Sequence, residues 1–174
     1  VTPQGVLTET PALLQYIAQR FPAAGLAPLD DAFELARMNE FNSYLCSTVH
    51  VNHAHKGRGH RWVDPSDTAA IAAMQKKVPQ TMGDAFGLIE RTMLRGPWVL
   101  GERLSTSDLY LFTLSTWLAG DGVDIETFPR VADHFRRLHG SQRAGKRAQH
   151  AGLRATRHRI FRRCGGKDAA QAGM

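Results

Sequence analysis

The stretch GPWVLGERLSTSDLYLFTLSTWL, residues 96–118, constrains the fold more than any other part of the chain. From Leu109 to Leu118 its apolar residues are interrupted only by Thr113, Ser115 and Thr116. A helix that is apolar all round has to be a central one, enclosed by other elements. Ser105 and Asp108 stand directly before it at capping-box spacing, where each side chain satisfies the other's free backbone N–H. The pair is therefore read as structural, a device that starts a core helix in the right place. The preceding Trp98 and Leu100 are expected to turn inward against that helix. The run is too short to cross a membrane, which needs about 20 apolar residues.

The other segments supply helices to surround it. In LTETPALLQYIAQRFP, Thr10 reads as an N-cap with Pro11 at the first helical position, where its missing N–H costs nothing. Leu13, Leu14, Ile17, Ala18 and Phe21 follow as one apolar stripe, stopped by Pro22 and Gly25. Val6–Leu7 ahead of it reads as a short strand. Residues 23–29 form a Pro/Gly/Ala linker. Asp30 or Asp31 then opens a long helix towards His55, with Phe33, Met38, Phe41, Leu45 and Val49 on its buried side. Asp64–Pro65–Ser66–Asp67 opens another, expected to reach Arg95 with a kink before Pro79. Residues 128–138 make a last short amphipathic helix.

The charge is divided unevenly. Residues 1–135 hold 11 Lys/Arg and 15 Asp/Glu, a net of −4, whereas residues 136–174 hold 11 Lys/Arg and one acid, a net of +10. The body thus carries no basic footprint for nucleic acid. The two cysteines, Cys46 and Cys164, stand at no metal-binding spacing and fit a reducing, cytoplasmic setting.

With these segments in order, the chain resembles the glutathione S-transferase family. The resemblance is carried by L-T-E-T-P-A-L-L-x-Y-I, the linker and long helical pair, P-W-V-L-G-x-x-L-S-x-x-D, and Phe128–Pro129–Arg130–Val131. It covers residues 1 to about 138. It implies an all-α fold: a helical C-terminal domain over residues 30–139, preceded by residues 1–22 as a strand–helix remnant of a thioredoxin-like domain. It also implies that Glu9 and Thr10 hold the γ-glutamyl end of glutathione. The physical chemistry of the pair agrees: Thr10 and the helix N–H groups suit a carboxylate, and Glu9 suits an ammonium. Read without the family, Thr10 only caps and Glu9 only faces water.

The family's thiol-activating residue and its cis-proline belong upstream of Val1 in this comparison. No catalytic residue is therefore assigned, Cys46 is no candidate, and the chain by itself is expected to be inactive in conjugation. The resemblance further implies glutathione as co-substrate without another cofactor, a small electrophile as partner, and a homodimer of the full-length protein. A glutathione-dependent isomerase or reductase, and a non-catalytic interaction module on the same fold, stand as alternatives.

SYLCSTVHVNHAHKGRGHRW gathers His50, His53, His55 and His60 near Lys56, Arg58, Arg61 and Trp62. No carboxylate stands at zincin spacing, so no metal site is expected. In bacterial beta-class transferases a helix here presents T-x-L-H-K to the cleft. Thr48–Val49–His50 matches its first part, with Val51 in the place of Lys, and His55–Lys56 offers a second alignment. Ser43, His50 and His53 are the candidate cleft residues, and a solvated basic helix end is the competing reading. Trp62 and Phe41 are read as packing. The tail, residues 140–174, is rich in Arg with few large apolar residues, chiefly Leu153, Ile160 and Phe161. Phosphate binding, a disordered extension, or a shifted reading frame near His139–Gly140 each fit it.

Overall fold

The computed structural model describes residues 1–140. The chain divides into two units, Val1–Phe135 and Arg136–Met174. The first holds every candidate site residue; the expectations for the basic tail, with Leu153, Ile160, Phe161 and Cys164, lie outside the described residues.

Six helices build this unit: α1 (Thr10–Arg20), α2 (Ala32–Tyr44), α3 (His50–Ala54), α4 (Thr68–Leu88), α5 (Thr106–Ser115) and α6, which starts at residue 129. A single π turn, Leu45–Val49, joins α2 to α3, so residues 32–54 run as one continuous helix. A second π turn, Ile89–Met93, extends α4 before Leu94 turns the chain into extended backbone. No helix among the described residues is long and apolar enough to cross a membrane.

α5 lies at the centre, as its apolar sequence requires. Leu111, Leu114 and Leu118 pack with Phe41, Leu45 and Val49 from the α2–α3 helix, and with Val78, Met82, Phe86 and Ile89 from α4. Its start is fastened by Asp108, whose buried carboxylate accepts from four groups. Oδ2 takes the Ser105 N–H at 2.7 Å and the Ser105 hydroxyl at 2.8 Å. Oδ1 takes the Val99 N–H at 2.7 Å and faces His134 Nε2 at 3.0 Å. A buried carboxylate is tolerable only with this degree of satisfaction. Val99, rather than Trp98 or Leu100, is the fully inward residue of the preceding turn. Trp98 is half-buried and meets the His134 ring edge-on at 5.8 Å. Gly96 has no room for a side chain there, since a Cβ would lie 2.9 Å from the Gly101 carbonyl oxygen.

Several local expectations are corrected. Val6–Leu7 forms no strand; the only pairing nearby is the tight Thr2–Gly5 bridge, and no described strand lies beside Val6 to receive its ladder bonds. Residues 1–20 are thus one tight turn and one helix. Glu9, not Thr10, is the N-cap residue of α1, and Pro11 falls at the second helical position, which needs no N–H either. α4 begins at Thr68, capped by Asp67, whose carboxylate accepts from the Ala70 N–H at 2.9 Å. Asp64 instead closes its own turn with the Ser66 N–H and hydroxyl, at 2.8 and 2.6 Å. Phe33 is 67% exposed, covered on one face by the Arg37 guanidinium at 4.9 Å. On α1 only Ala18 is fully buried; Leu13, Ile17 and Phe21 keep much of their surface open.

Candidate functional site

Two features hold the candidate residues: the start of α1 and the C-terminal half of the α2–α3 helix. Glu9 carries φ 66° and ψ 120°, the one positive φ among the described non-glycine residues. An acidic residue gains nothing from that backbone, which costs of order 1–3 kcal/mol and persists only where the surroundings impose it. No side chain caps α1, and its first intrahelical bond runs from the Leu13 N–H to the Glu9 carbonyl at 3.0 Å. The N–H groups of Thr10 and Ala12 therefore point outward without an intrahelical partner, beside two exposed side chains, Glu9 and Thr10.

Beneath this opening lies Tyr110, from the first turns of α5. It is only 6% exposed, and its hydroxyl makes no well-aligned hydrogen bond, although the Cys46 thiol and the Thr10 hydroxyl lie close enough to interact with it. The half-buried Cys46 thiol on the π turn, the Thr10 hydroxyl and the Glu9 carboxylate surround it. Burial first, and the Cys46 thiol next, push the phenol from its ordinary 10.0 up to about 12.

Further along the same helix is a cavity of about 510 Å³ lined by His50, His53, Lys56, Arg58 and Trp117. His53 is held twice. Its ring stacks on Trp117 at 4.2 Å, and its Nδ1 lies 2.7 Å from Oδ2 of the buried Asp121. A carboxylate at that distance makes Nδ1 the protonated nitrogen and leaves Nε2 as the open one. The Lys56 ammonium lies 3.4 Å from the other Asp121 oxygen and also donates to the Gly120 carbonyl. His50 meets Trp117 edge-on at 5.2 Å. Burial, then His53, Arg58 and Arg61, hold the His50 imidazole below its ordinary value, so it is neutral and able to accept a proton or hydrogen bond at neutral pH.

The structure thus places Glu9 and Thr10 together at the opening, and His50 and His53 together on the cavity wall. Ser43 is exposed near the end of α2 and does not line that cavity. His55 turns instead to Trp62, edge-on at 4.5 Å, and Trp62 remains 45% exposed. Ser105 and Asp108 belong to the helix start described above. Tyr110, Trp117 and Asp121 do not stand out in the sequence. No local signal marks them, since Trp117 and Asp121 lie beyond the end of α5 and Tyr110 reads as one more apolar residue within it. No group of three or more His, Cys, Asp or Glu side chains among the described residues is placed to hold a metal ion.

Comparison with known proteins points in one direction. No model of a known protein family matches the chain. A glutathione transferase homologue from Sulfitobacter, solved with bound glutathione, is 42% identical, with TM-score 0.75, over 79% of this chain and 73% of its own. The beta-class glutathione S-transferase of Sphingomonas chungbukensis is 27% identical, with TM-score 0.67, over 87% of this chain and 72% of its own. Glutathione S-transferase GST-4.5 of Xanthomonas campestris pv. campestris is 22% identical over 138 residues, 79% of this chain and 67% of that protein.

Proposed function

Because the chain belongs to the glutathione S-transferase family, we propose that Glu9 and Thr10 bind the γ-glutamyl end of glutathione and that the whole protein transfers glutathione to a small electrophile. The observation that carries this reading is the backbone of Glu9. A strained, uncapped helix start with an exposed acid and hydroxyl is poorly explained by stability alone. It is well suited to an amino-acid zwitterion. The ligand carboxylate takes the Thr10 hydroxyl and the free N–H groups at the positive end of α1, and the ligand ammonium takes the Glu9 carboxylate.

Chemically, the glutathione thiolate attacks the electrophilic carbon, a carbon–sulfur bond forms, and the leaving group departs with its electron pair. The described residues contribute binding and orientation to that step. His50, neutral and on the cavity wall, is suited to accept a hydrogen bond from the thiol or from the acceptor. Activation of the thiol is assigned to none of the described residues. The same reading makes the whole protein a cytoplasmic homodimer.

The test is a spectrophotometric assay of the full-length protein with glutathione and an aromatic halide. Turnover well above the uncatalysed rate is expected, with Thr10→Ala raising KM for glutathione by roughly tenfold or more, the worth of one charge-assisted contact. Turnover at the uncatalysed rate would leave this a binding protein on a transferase fold.

A further inference from the structure

The cavity at the end of α3 carries one sign of charge. His50, His53, Lys56 and Arg58 line it, and no Asp or Glu does. Asp121 lies beneath rather than in it, buried and already engaged by His53 and Lys56. Arg58 makes no ion pair among the described residues, and it stands exposed in the loop after α3. Its guanidinium is therefore a fork-shaped donor with no acid to hold.

The rest of the wall is Trp117, with Ala54 and Gly57. Trp117 is stacked against the His53 ring and approached edge-on by His50, so three flat rings meet at the floor. A cavity of about 510 Å³ is large enough for a whole small molecule and much larger than a carboxylate needs. Asp121 fixes the His53 ring through Nδ1, which gives the wall a set orientation.

The cavity is also placed usefully. Cys46, beside the Tyr110–Thr10–Glu9 opening, and His50 and His53, in the cavity wall, stand at i, i+4 and i+7 of one continuous helix. At 1.5 Å per residue, that interval is about 10 Å. The cavity wall thus begins on the same helix that borders the opening at Glu9 and Thr10, one turn further along. A glycyl carboxylate carries no ring, so the stacked wall is not built for the far end of glutathione.

We propose that this cavity is the acceptor site of the transfer reaction and that its substrates are aromatic acids, held at the carboxylate by Arg58 and at the ring by Trp117 and the two imidazoles. This rests on the glutathione reading above. Aromatic rings without a negative charge lose the Arg58 contact, and aliphatic acids lose the ring contact. An aromatic acid uses both.

Calorimetry with cinnamate and with uncharged cinnamamide, in the absence of glutathione, separates the two contributions. At low salt, cinnamate is expected to bind roughly tenfold more tightly than the amide, as one charge-assisted guanidinium contact implies. Arg58→Ala should bring the acid down to the affinity of the amide, and added salt should do so progressively. Because Arg58 is exposed in a loop, that variant keeps the fold; Trp117→Leu should weaken both ligands. Equal affinity for acid and amide, or binding of neither, overturns the proposal, as does loss of cinnamate to saturating glutathione. Retention on immobilised glutathione is read separately. A chain that holds glutathione but not cinnamate overturns this proposal alone, and one that holds cinnamate but not glutathione overturns the transfer reading and the acceptor role with it.

Discussion

The Tyr110 hydroxyl shows how much a single side chain can be asked to do. It is buried, makes no well-aligned hydrogen bond and stands next to the only strained non-glycine backbone described. A buried hydroxyl without a well-aligned partner forfeits its desolvation cost, so Tyr110→Phe should be neutral or slightly stabilising at pH 7. The pH dependence gives the sharper test. With the folded phenol up at about 12 and the unfolded one at 10.0, the unfolded chain loses its proton first. Stability should therefore be unaffected below pH 10 and fall as pH rises towards 12. In Tyr110→Phe this alkaline loss should flatten, which denaturant titrations at a series of pH values would detect; an unchanged alkaline slope would show that the phenol titrates normally. The family resemblance singled out Glu9 and Thr10, which local chemistry alone reads as a cap and a solvent-facing acid. The sequence did not reveal Tyr110, Trp117 or Asp121, because each acquires its role from residues distant in the chain, such as Asp121 meeting His53 across 68 positions.

At the scale of elements, local chemistry and tertiary packing divide the credit. The α5 start was readable because a capping box is a reciprocal bond between residues three apart. Its structural counterpart is wider: Asp108 also satisfies the Val99 N–H and faces His134, 26 positions away. Ser105→Ala removes one donor to that carboxylate and should cost about 0.5–2 kcal/mol. Asp108→Ala leaves two buried N–H groups without acceptors and should cost roughly 3 kcal/mol or more. The difference is measurable in denaturant midpoints, and equal costs would mean that Asp108 acts only as a cap. The two π turns were not readable at all. Each inserts one extra residue into a helix whose apolar spacing still fits ordinary α periodicity, and a π turn is usually tied to a local functional or packing demand. Leu45–Val49 is where it matters, since the turn carries Cys46 and directly precedes His50 and the cavity wall. Phe33 failed as a core residue for the opposite reason: one apolar residue in the first turn of a helix need not face the stripe that follows it.

Across the whole molecule, the helical class and the central place of α5 were legible, because an apolar helix of that length has nowhere else to go. What the pattern could not supply was how α1 presents itself, with Leu13, Ile17 and Phe21 largely open and its N-terminus turned out beside Tyr110. On the reading proposed above, α1 is a helix whose start is kept free to hold an amino-acid end. Calorimetry of glutathione against cysteinylglycine, which lacks only the γ-glutamyl group, tests it most directly. Glutathione should bind and the dipeptide should not, and Glu9→Ala should weaken glutathione by about 1.5–3 kcal/mol. Equal affinity for the two peptides, or glutathione binding untouched by Glu9→Ala and Thr10→Ala, would contradict that claim and leave α1 with an unexplained strain at Glu9.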